Sequence, residues 1–374
     1  MAALRVISAD SHMMEPPDLW TNALGRKYGD RTPQVKLTSK GHLFVAPGVR
    51  PFAVAGGFGA GRSGKELKEH LSHGYEAARP GGWDPVERIK DQDIDGVEAE
   101  VLYTTLGMPL FGLDDAQLQR DCFAVYNDWV AEFCKHDPRR LHAIALISLE
   151  DIDEGVKELT RCAKMGLKGA MIWGSAPADR PYYSTVYDPF WAAAQDLEMP
   201  LSLHVITAKD QAPGPKPAQR IPGHINTMRG YMGLIHEVQR SLTDIVASGV
   251  LERFPKLQIV SAENDTGWLP HYMYRMDHAY EKFADLNEEK PLKMKPSEYV
   301  RRQMWATFQD DPTGPAGYRS FGENNYMWAS DFPHTDSTWP HSREVITKDF
   351  SGVPENVTSK IVFENANKLY RMGL

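Results

Sequence analysis

Four short apolar runs, spread along nearly the whole of this sequence, each close on a carboxylate or an imidazole, and this recurrence constrains the fold more than any other feature. The first lies in "MAALRVISADSHMME", where Leu4 to Ser8 reads as a buried strand with Asp10 and His12 projecting from its carboxyl end. Alternate residues of an extended chain point to one side, so these two can reach a common ion. Further on, "MPLSLHV" carries His204, "LQIVSAEND" carries Glu263, and "NYMWASDFPH" carries Asp331 followed by His334. A divalent ion with nitrogen and oxygen ligands takes at least three protein donors. One Asp or His after a strand is more often a helix cap or a turn residue. Four such strand ends in one chain are the arrangement expected at the carboxyl face of a parallel barrel.

The 374 residues suffice for one α/β barrel with insertions or for two ordinary domains, so the order of elements has to decide. After the first strand, residues 24–95 are rich in Gly, Pro and charge and read as an insertion over the barrel mouth, with "PQVKLTS" and "HLFVAPG" as a hairpin around "KG". Within it, "GAGRSGKE" (Gly59 to Glu66) fits the first seven places of a phosphate-binding P-loop. It fails at the eighth, where Glu66 replaces the Ser or Thr that binds magnesium, so the stretch 56–65 is expected to be a mobile glycine loop. "WDPVERIKDQDIDGV" is a helix started by Asp84 and stopped by Gly96. The runs "AEVLYTT", "HAIALIS", "KGAMIWG", "LSLHV", "LQIVSAE", "QMWATF" and "NYMWASD" then supply seven more strands between helical stretches.

Eight strands with helical crossovers predict a (β/α)8 TIM barrel, one domain over 1–374. A doubly wound open sheet would gather ligands at one switch point, whereas the candidates here sit on the first, fifth, sixth and eighth strands and converge only around a closed barrel. The final "VPENVTSKIVFENANKLYRMGL" reads as a helix packing Ile361, Val362 and Leu369 against the body.

Forty-two basic against fifty acidic residues leave a net charge of −8 with no basic run, which argues against a nucleic-acid or anionic-membrane partner. Cys122, Cys134 and Cys162 are odd in number and lack C-x-x-C spacing, so reduced core thiols are expected rather than disulfides or a thiolate zinc site. The chain shows neither a basic region leading into an apolar core at its start nor eighteen uninterrupted apolar residues, so a cytoplasmic location is the default expectation.

The segments "VISADSHMMEPPDLW", "SGVLERFPKLQIVSAENDTGWLP", "WASDFPHTDSTWPHSRE" and "FENANKLY" resemble the amidohydrolase-related family, the superfamily branch that includes metal-dependent aromatic-acid and aminocarboxymuconate semialdehyde decarboxylases. The resemblance implies that the opening metal motif falls on Asp10 and His12, the strand-five histidine on His204 and the strand-eight aspartate on Asp331. One position departs from it. The decarboxylases end their sixth strand in an acid–base histidine, and "SAEND" puts Glu263 in or beside that place.

With Asp10, His12, His204 and Asp331 around one zinc or manganese ion, the expected chemistry is activation of water or polarisation of a small carboxylated or aromatic substrate, by a hydrolase or a non-oxidative decarboxylase. Glu263, Asp331 and His334 are the candidate catalytic groups, with Glu263 as acid–base residue or as support for a ligand imidazole. A histidine suits protonation of a carbanion better than an unperturbed glutamate, so the departure weakens the decarboxylase expectation. Counting Glu263 and either His236 or His334 as further ligands makes three carboxylates and three imidazoles, enough for two iron ions or iron with manganese and a monooxygenase. A non-catalytic metal-binding subunit of a hetero-oligomer is the third expectation. Arg62, Lys65, Arg229, Arg319 and Arg343 are candidates to pair a substrate carboxylate, and Trp173, Tyr182, Tyr183, Trp268 and Trp339 to line a pocket. The resemblance implies a homo-oligomer, a dimer or a tetramer.

Overall fold

β1 (Ile7–His12) is followed by a three-stranded antiparallel sheet and then by seven strands that complete an eight-stranded parallel sheet. The computed structural model describes residues 4–38, 41–70, 73–209, 222–283, 286 and 292–374. The small sheet is β2 (Gln34–Thr38), β3 (Gly41–Val45) and β4 (Phe52–Ala53), so the expected hairpin gains a third strand, while the start of its turn lies outside the described residues. The remaining strands are β5 (Ala99–Tyr103), β6 (Leu141–Leu146), β7 (Gly169–Ile172), β8 (Leu201–His204), β9 (Ile259–Ala262), β10 (Met304–Phe308) and β11 (Tyr326–Trp328). All of their residues are buried, as both faces of a barrel wall must be.

The crossovers are helical: α1 (Leu19–Tyr28), α2 (Gly64–His70), α3 (Pro85–Asp95), α4 (Ala116–Cys134), α5 (Ile152–Met165), α6 (Asp188–Asp196), α7 (Gly223–Ala247), α8 (Val250–Arg253), α9 (Leu269–Lys282), α10 (Pro296–Gln303), α11 (Thr313–Ala316), α12 (Tyr318–Phe321), α13 (Ser342–Asp349), α14 (Glu355–Ser359) and α15 (Asn365–Leu369). Their ends follow local chemistry. Asp84 caps α3 by accepting from the amides of Val86 at 2.8 Å and Glu87 at 3.3 Å, and Gly96 stops it at φ 69°. Asp115 and Asp151 cap α4 and α5 in the same way.

The strands run in the order β1-β5-β6-β7-β8-β9-β10-β11, and the first and last meet at a seam without a regular ladder. Asp331 N donates to Asp10 O at 3.0 Å and His12 N to Phe332 O at 2.6 Å. Hydroxyls fill the gap below: Ser330 N donates to Ser8 Oγ at 2.8 Å, and Ser11 and Ser330 Oγ are 3.1 Å apart.

Two expectations need correction. Leu4 to Ser8 is not the first strand; β1 runs on to His12, so Asp10 and His12 lie within it. The run is prolonged because β1 bulges against β5: Ser8 pairs with Glu100 but Ser11 with Leu102, which inserts one residue. The glycine stretch is bonded to the loop after β11, with Thr335 N donating to Gly56 O at 3.2 Å and Ala60 N to Pro333 O at 3.1 Å. The C-terminal helix is interrupted between α14 and α15 by a π turn over Lys360–Glu364, whose Ile361, Val362 and Phe363 are buried. No helix among the described residues is long and apolar enough to cross a membrane. Cys122 and Cys162 are buried and Cys134 half-buried, and burial raises all three thiols above their ordinary pKa.

Candidate metal centre

Two overlapping clusters of donor atoms stand at the carboxyl end of the barrel, Asp10, His12 and His204 in one and His12, Glu263, Asp331 and His334 in the other. Each comes from the end of a strand or the residues just after it: β1 supplies Asp10 and His12, β8 His204, β9 Glu263, and the turn after β11 Asp331 and His334. His12 Nε2 is 3.6 Å from Asp10 Oδ1, 3.4 Å from Glu263 Oε2 and 3.4 Å from Asp331 Oδ1. His204 Nε2 is 3.1 Å from Glu263 Oε2 and 3.8 Å from Asp10 Oδ1. Glu263 and Asp331 hold left-handed backbone, φ 53° and 56°, a conformation that costs a non-glycine residue free energy and persists only where its surroundings enforce it.

The second nitrogen of the His12 and His204 imidazoles fixes the tautomer. His12 Nδ1 donates to Thr104 O at 2.8 Å and His204 Nδ1 to Val205 O at 3.0 Å. Both Nε2 lone pairs therefore face carboxylate oxygens, which is repulsive unless a cation or a proton lies between them. Asp10 Oδ1, His12 Nε2, His204 Nε2, Glu263 Oε2 and both oxygens of Asp331 are buried without a hydrogen-bond partner. Three carboxylates converge here with two imidazole nitrogens that have no other partner, and a divalent cation would satisfy all of them, so the donor set fits such an ion.

The protonation of the side chains alone is correspondingly skewed. Burial, reinforced by His334, lowers His12 to about 4. Burial acts in the same sense on His204, but Asp10 and Glu263 overcome it and hold that imidazole well above its ordinary value. Burial would raise Glu263, and the two imidazoles instead hold it well below the usual carboxylate range. Asp331 is pushed by burial up to about 7, with His334 opposing and the charges of Glu263 and Asp10 adding to the rise. A bound divalent cation reverses this last shift, since it favours every carboxylate in ionised form.

His334 stacks on His12 with centroids 3.9 Å apart. Its Nδ1 lies 3.0 Å from Asp331 Oδ1, an ionic contact whose angle falls outside hydrogen-bond geometry, and its Nε2 meets Thr105 Oγ1 at 2.8 Å. The side chains of Asp10, His12, His204 and Asp331 are at most 2% exposed, against 23% for Glu263 and 13% for His334. Glu263 and His334 are thus the two most exposed of the six. His236 is exposed on α7 and belongs to neither cluster.

Several contributors escaped the sequence. Thr307 on β10 donates to Asp10 Oδ2 at 2.9 Å and accepts from Glu263 N at 2.8 Å, joining two donors through one hydroxyl. Glu15, wholly buried, accepts from Leu106 N at 2.9 Å and from the hydroxyl of Thr104, whose carbonyl orients His12. "YTT" and "WATF" gave no sign of this, because a threonine in a strand is ordinary until its neighbours are known. Of the candidate cations, Lys65, Arg229 and Arg319 are exposed, Arg62 donates to the carbonyls of Phe58 and Ala77, and Arg343 donates to Leu4 O before β1, away from the strand ends that bear the cup. Of the aromatics, Trp173 and Tyr182 are buried, their polar atoms bonded to Phe111 O and Trp173 O. Tyr183 is exposed, and Trp268 and Trp339 donate to Asn264 O and Asp91 O.

The family model of the amidohydrolases matches residues 42–372, a span that begins after β1. Gamma-resorcylate decarboxylase from Polaromonas sp. is 24% identical over 296 residues, 76% of this chain and 87% of that protein. An amidohydrolase from Mycobacterium avium subsp. paratuberculosis K-10 superposes with a TM-score of 0.76 at 21% identity, covering 99% of this chain and 100% of that one. A variant of 5-carboxyvanillate decarboxylase from Novosphingobium aromaticivorans, with bound manganese and 3-methoxy-4-hydroxy-5-nitrobenzoic acid, gives 0.71 at 19% identity, covering 99% and 97%. At these identities the two structures speak to the fold alone.

Proposed function

From the fact that the chain belongs to the amidohydrolase family, and is an enzyme of it, we propose that it is a metal-dependent carboxy-lyase acting on a small hydroxylated aromatic acid. The observation that carries the proposal is the cup of six buried, unpartnered donor atoms, beside which Glu263 and His334 are the more exposed side chains. Asp10, His12, His204 and Asp331 are the residues that would hold a divalent ion, with manganese or zinc suited to the mixed oxygen and nitrogen donors. When bound, the ion supplies a Lewis acid towards a substrate carboxylate or phenolate.

The chain's own groups do the rest. Thr104 O, Val205 O and Thr307 Oγ1 hold the donors in place before substrate arrives, so no reorganisation is needed at the moment of reaction. In a decarboxylation the bond from ring to carboxyl breaks, carbon dioxide leaves, and the electron pair left on the ring carbon takes up a proton. The resemblance puts a histidine in or beside the place of Glu263, so in this reading His334 supplies that proton from the nitrogen it holds beside Asp331 Oδ1, and Glu263, the more exposed of the two, screens the cup. Gamma-resorcylate decarboxylase among the relatives supports hydroxylated benzoates as the first substrates to try.

A second reading rests on the overlap of the two clusters at His12: with Glu263 and His334 as added ligands the cup would take two irons, or iron with manganese, and dioxygen. One experiment separates them. Protein purified without added metals or chelators is assayed for moles of each metal per chain and for carbon dioxide released from a panel of hydroxybenzoates that includes 2,6-dihydroxybenzoate. About one manganese or zinc per chain with product release supports the lyase. About two irons per chain with oxygen consumption overturns it in favour of the oxygenase.

A further inference from the structure

Arg88 is fully buried on α3, although arginine is among the residues least often hidden from water. Its guanidinium is spent on four acceptors. Nε donates to Glu100 Oε2 at 2.6 Å, Nη1 to His12 O at 2.8 Å and Gly81 O at 3.3 Å, and Nη2 to Phe332 O at 3.4 Å. The ring of Phe332 lies 4.7 Å from Cζ, and Gln92 Nε2 donates to the same Glu100 oxygen at 2.7 Å.

Two of those acceptors are on opposite sides of the seam. His12 belongs to β1 and bears a donor of the cup; Phe332 follows Asp331 and begins the turn that carries His334. Phe332 O also accepts from His12 N at 2.6 Å, so one carbonyl ties the seam from both directions. Elsewhere in the barrel neighbouring strands are kept in register by a parallel ladder, whereas β1 and β11 have none.

We infer that Arg88 is a positioning residue for the metal centre: its planar fork spans the seam and fixes the distance between the donors of β1 and those of the turn after β11. The inference rests on the cup holding a divalent ion. Glu100 balances the charge, which lets the guanidinium stay in the interior, and the fork supplies geometry that a single ammonium cannot.

The test is manganese binding, by titration calorimetry on chelator-stripped full-length protein, alongside the melting temperature. Arg88→Lys keeps a cation opposite Glu100 but cannot reach both carbonyls. It is expected to fold and to weaken manganese binding about 10- to 100-fold, in the range seen when groups behind metal ligands are lost. Arg88→Met should weaken binding at least as much. Glu100→Gln breaks the ion pair while leaving the fork in place, so its melting temperature should fall with manganese affinity within about threefold of the parent protein, well short of that loss. Parent-like manganese affinity in Arg88→Lys overturns the inference while leaving the metal reading intact. Affinity loss that merely follows the fall in melting temperature across all three variants overturns it as well. Failure of the parent protein to bind manganese, zinc or iron overturns the metal reading itself and the inference with it.

Discussion

Thr307 shows how much of the centre depends on single hydroxyls. Thr307→Val keeps the shape of the side chain and strands both Glu263 N–H and Asp10 Oδ2, a loss of about 1–3 kcal/mol for a buried unmet partner. Its melting temperature should fall, and chelator competition should show roughly tenfold weaker metal binding, while Thr307→Ser stays close to the parent. Glu263→Gln distinguishes a ligand from a proton-handling or screening group. In the lyase reading metal content is retained and turnover falls; loss of the metal would make Glu263 a ligand and favour the two-ion centre. Away from the cup, His142 on β6 donates from Nε2 to Arg139 O at 3.0 Å, has no partner at Nδ1, and is lowered by burial from its ordinary 6.5 to about 4. Between those values the unfolded chain binds the proton and the folded one does not, so stability rises with pH through that window. The deficit is complete below about 4, where it reaches about 3 kcal/mol. His142→Gln should flatten the fall in denaturation midpoint between pH 6.5 and 4, measured on metal-free protein. Asp10, His12, His204, Glu263 and Asp331, which the structure brings together, were legible as residues because each closes an apolar run. Thr307, Thr104 and Glu15 were not, since their importance lies in which strand stands next to theirs.

At the level of elements, the sequence showed where strands lie but not how they are aimed. The alternation in "ISADSH" puts Asp10 and His12 on one side of a regular strand; the bulge between Ser8 and Ser11 is a property of the pairing with β5 and leaves no mark in β1 alone. Helix ends were better encoded, since Asp84, Asp115, Asp151, Gly96 and Gly166 act on their own neighbours in the chain. The glycine stretch, rejected as a phosphate loop because of Glu66, has another use. Its glycines match a phosphate loop in spacing, yet at Gly59 the smallness is used against protein: a Cβ there would stand 2.1 Å from Thr335 Oγ1 and 2.9 Å from Thr335 Cα. Gly59→Ala therefore has to move the backbone next to His334. A lowered melting temperature and a reduced kcat at near-parent metal content are the expected result, and an unchanged kcat would show that the stretch does not brace the turn.

For the molecule as a whole, the barrel order could be read from alternating runs because a parallel sheet buries both faces and writes itself as continuous apolar segments. The seam could not, since no local pattern says which strands close a ring. A cup that holds an ion, as proposed, would link fold stability to it. Stripping it leaves like charges together in the interior, and restoring manganese to about 100 times its dissociation constant should return about 2.7 kcal/mol, a rise of a few degrees in melting temperature. A melting temperature indifferent to chelator and to manganese would show that the cup is held by protein contacts alone. The seam also has a bearing on biosynthesis. A ribosome that has delivered the chain only through β10 has released Asp10, His12, His204 and Glu263 but neither Asp331 nor the strand that lies against β1. A product that stops short of Asp331 thus lacks both a donor of the cup and the strand that closes its seam, so the cup is assembled from segments made at opposite ends of a long stretch of synthesis.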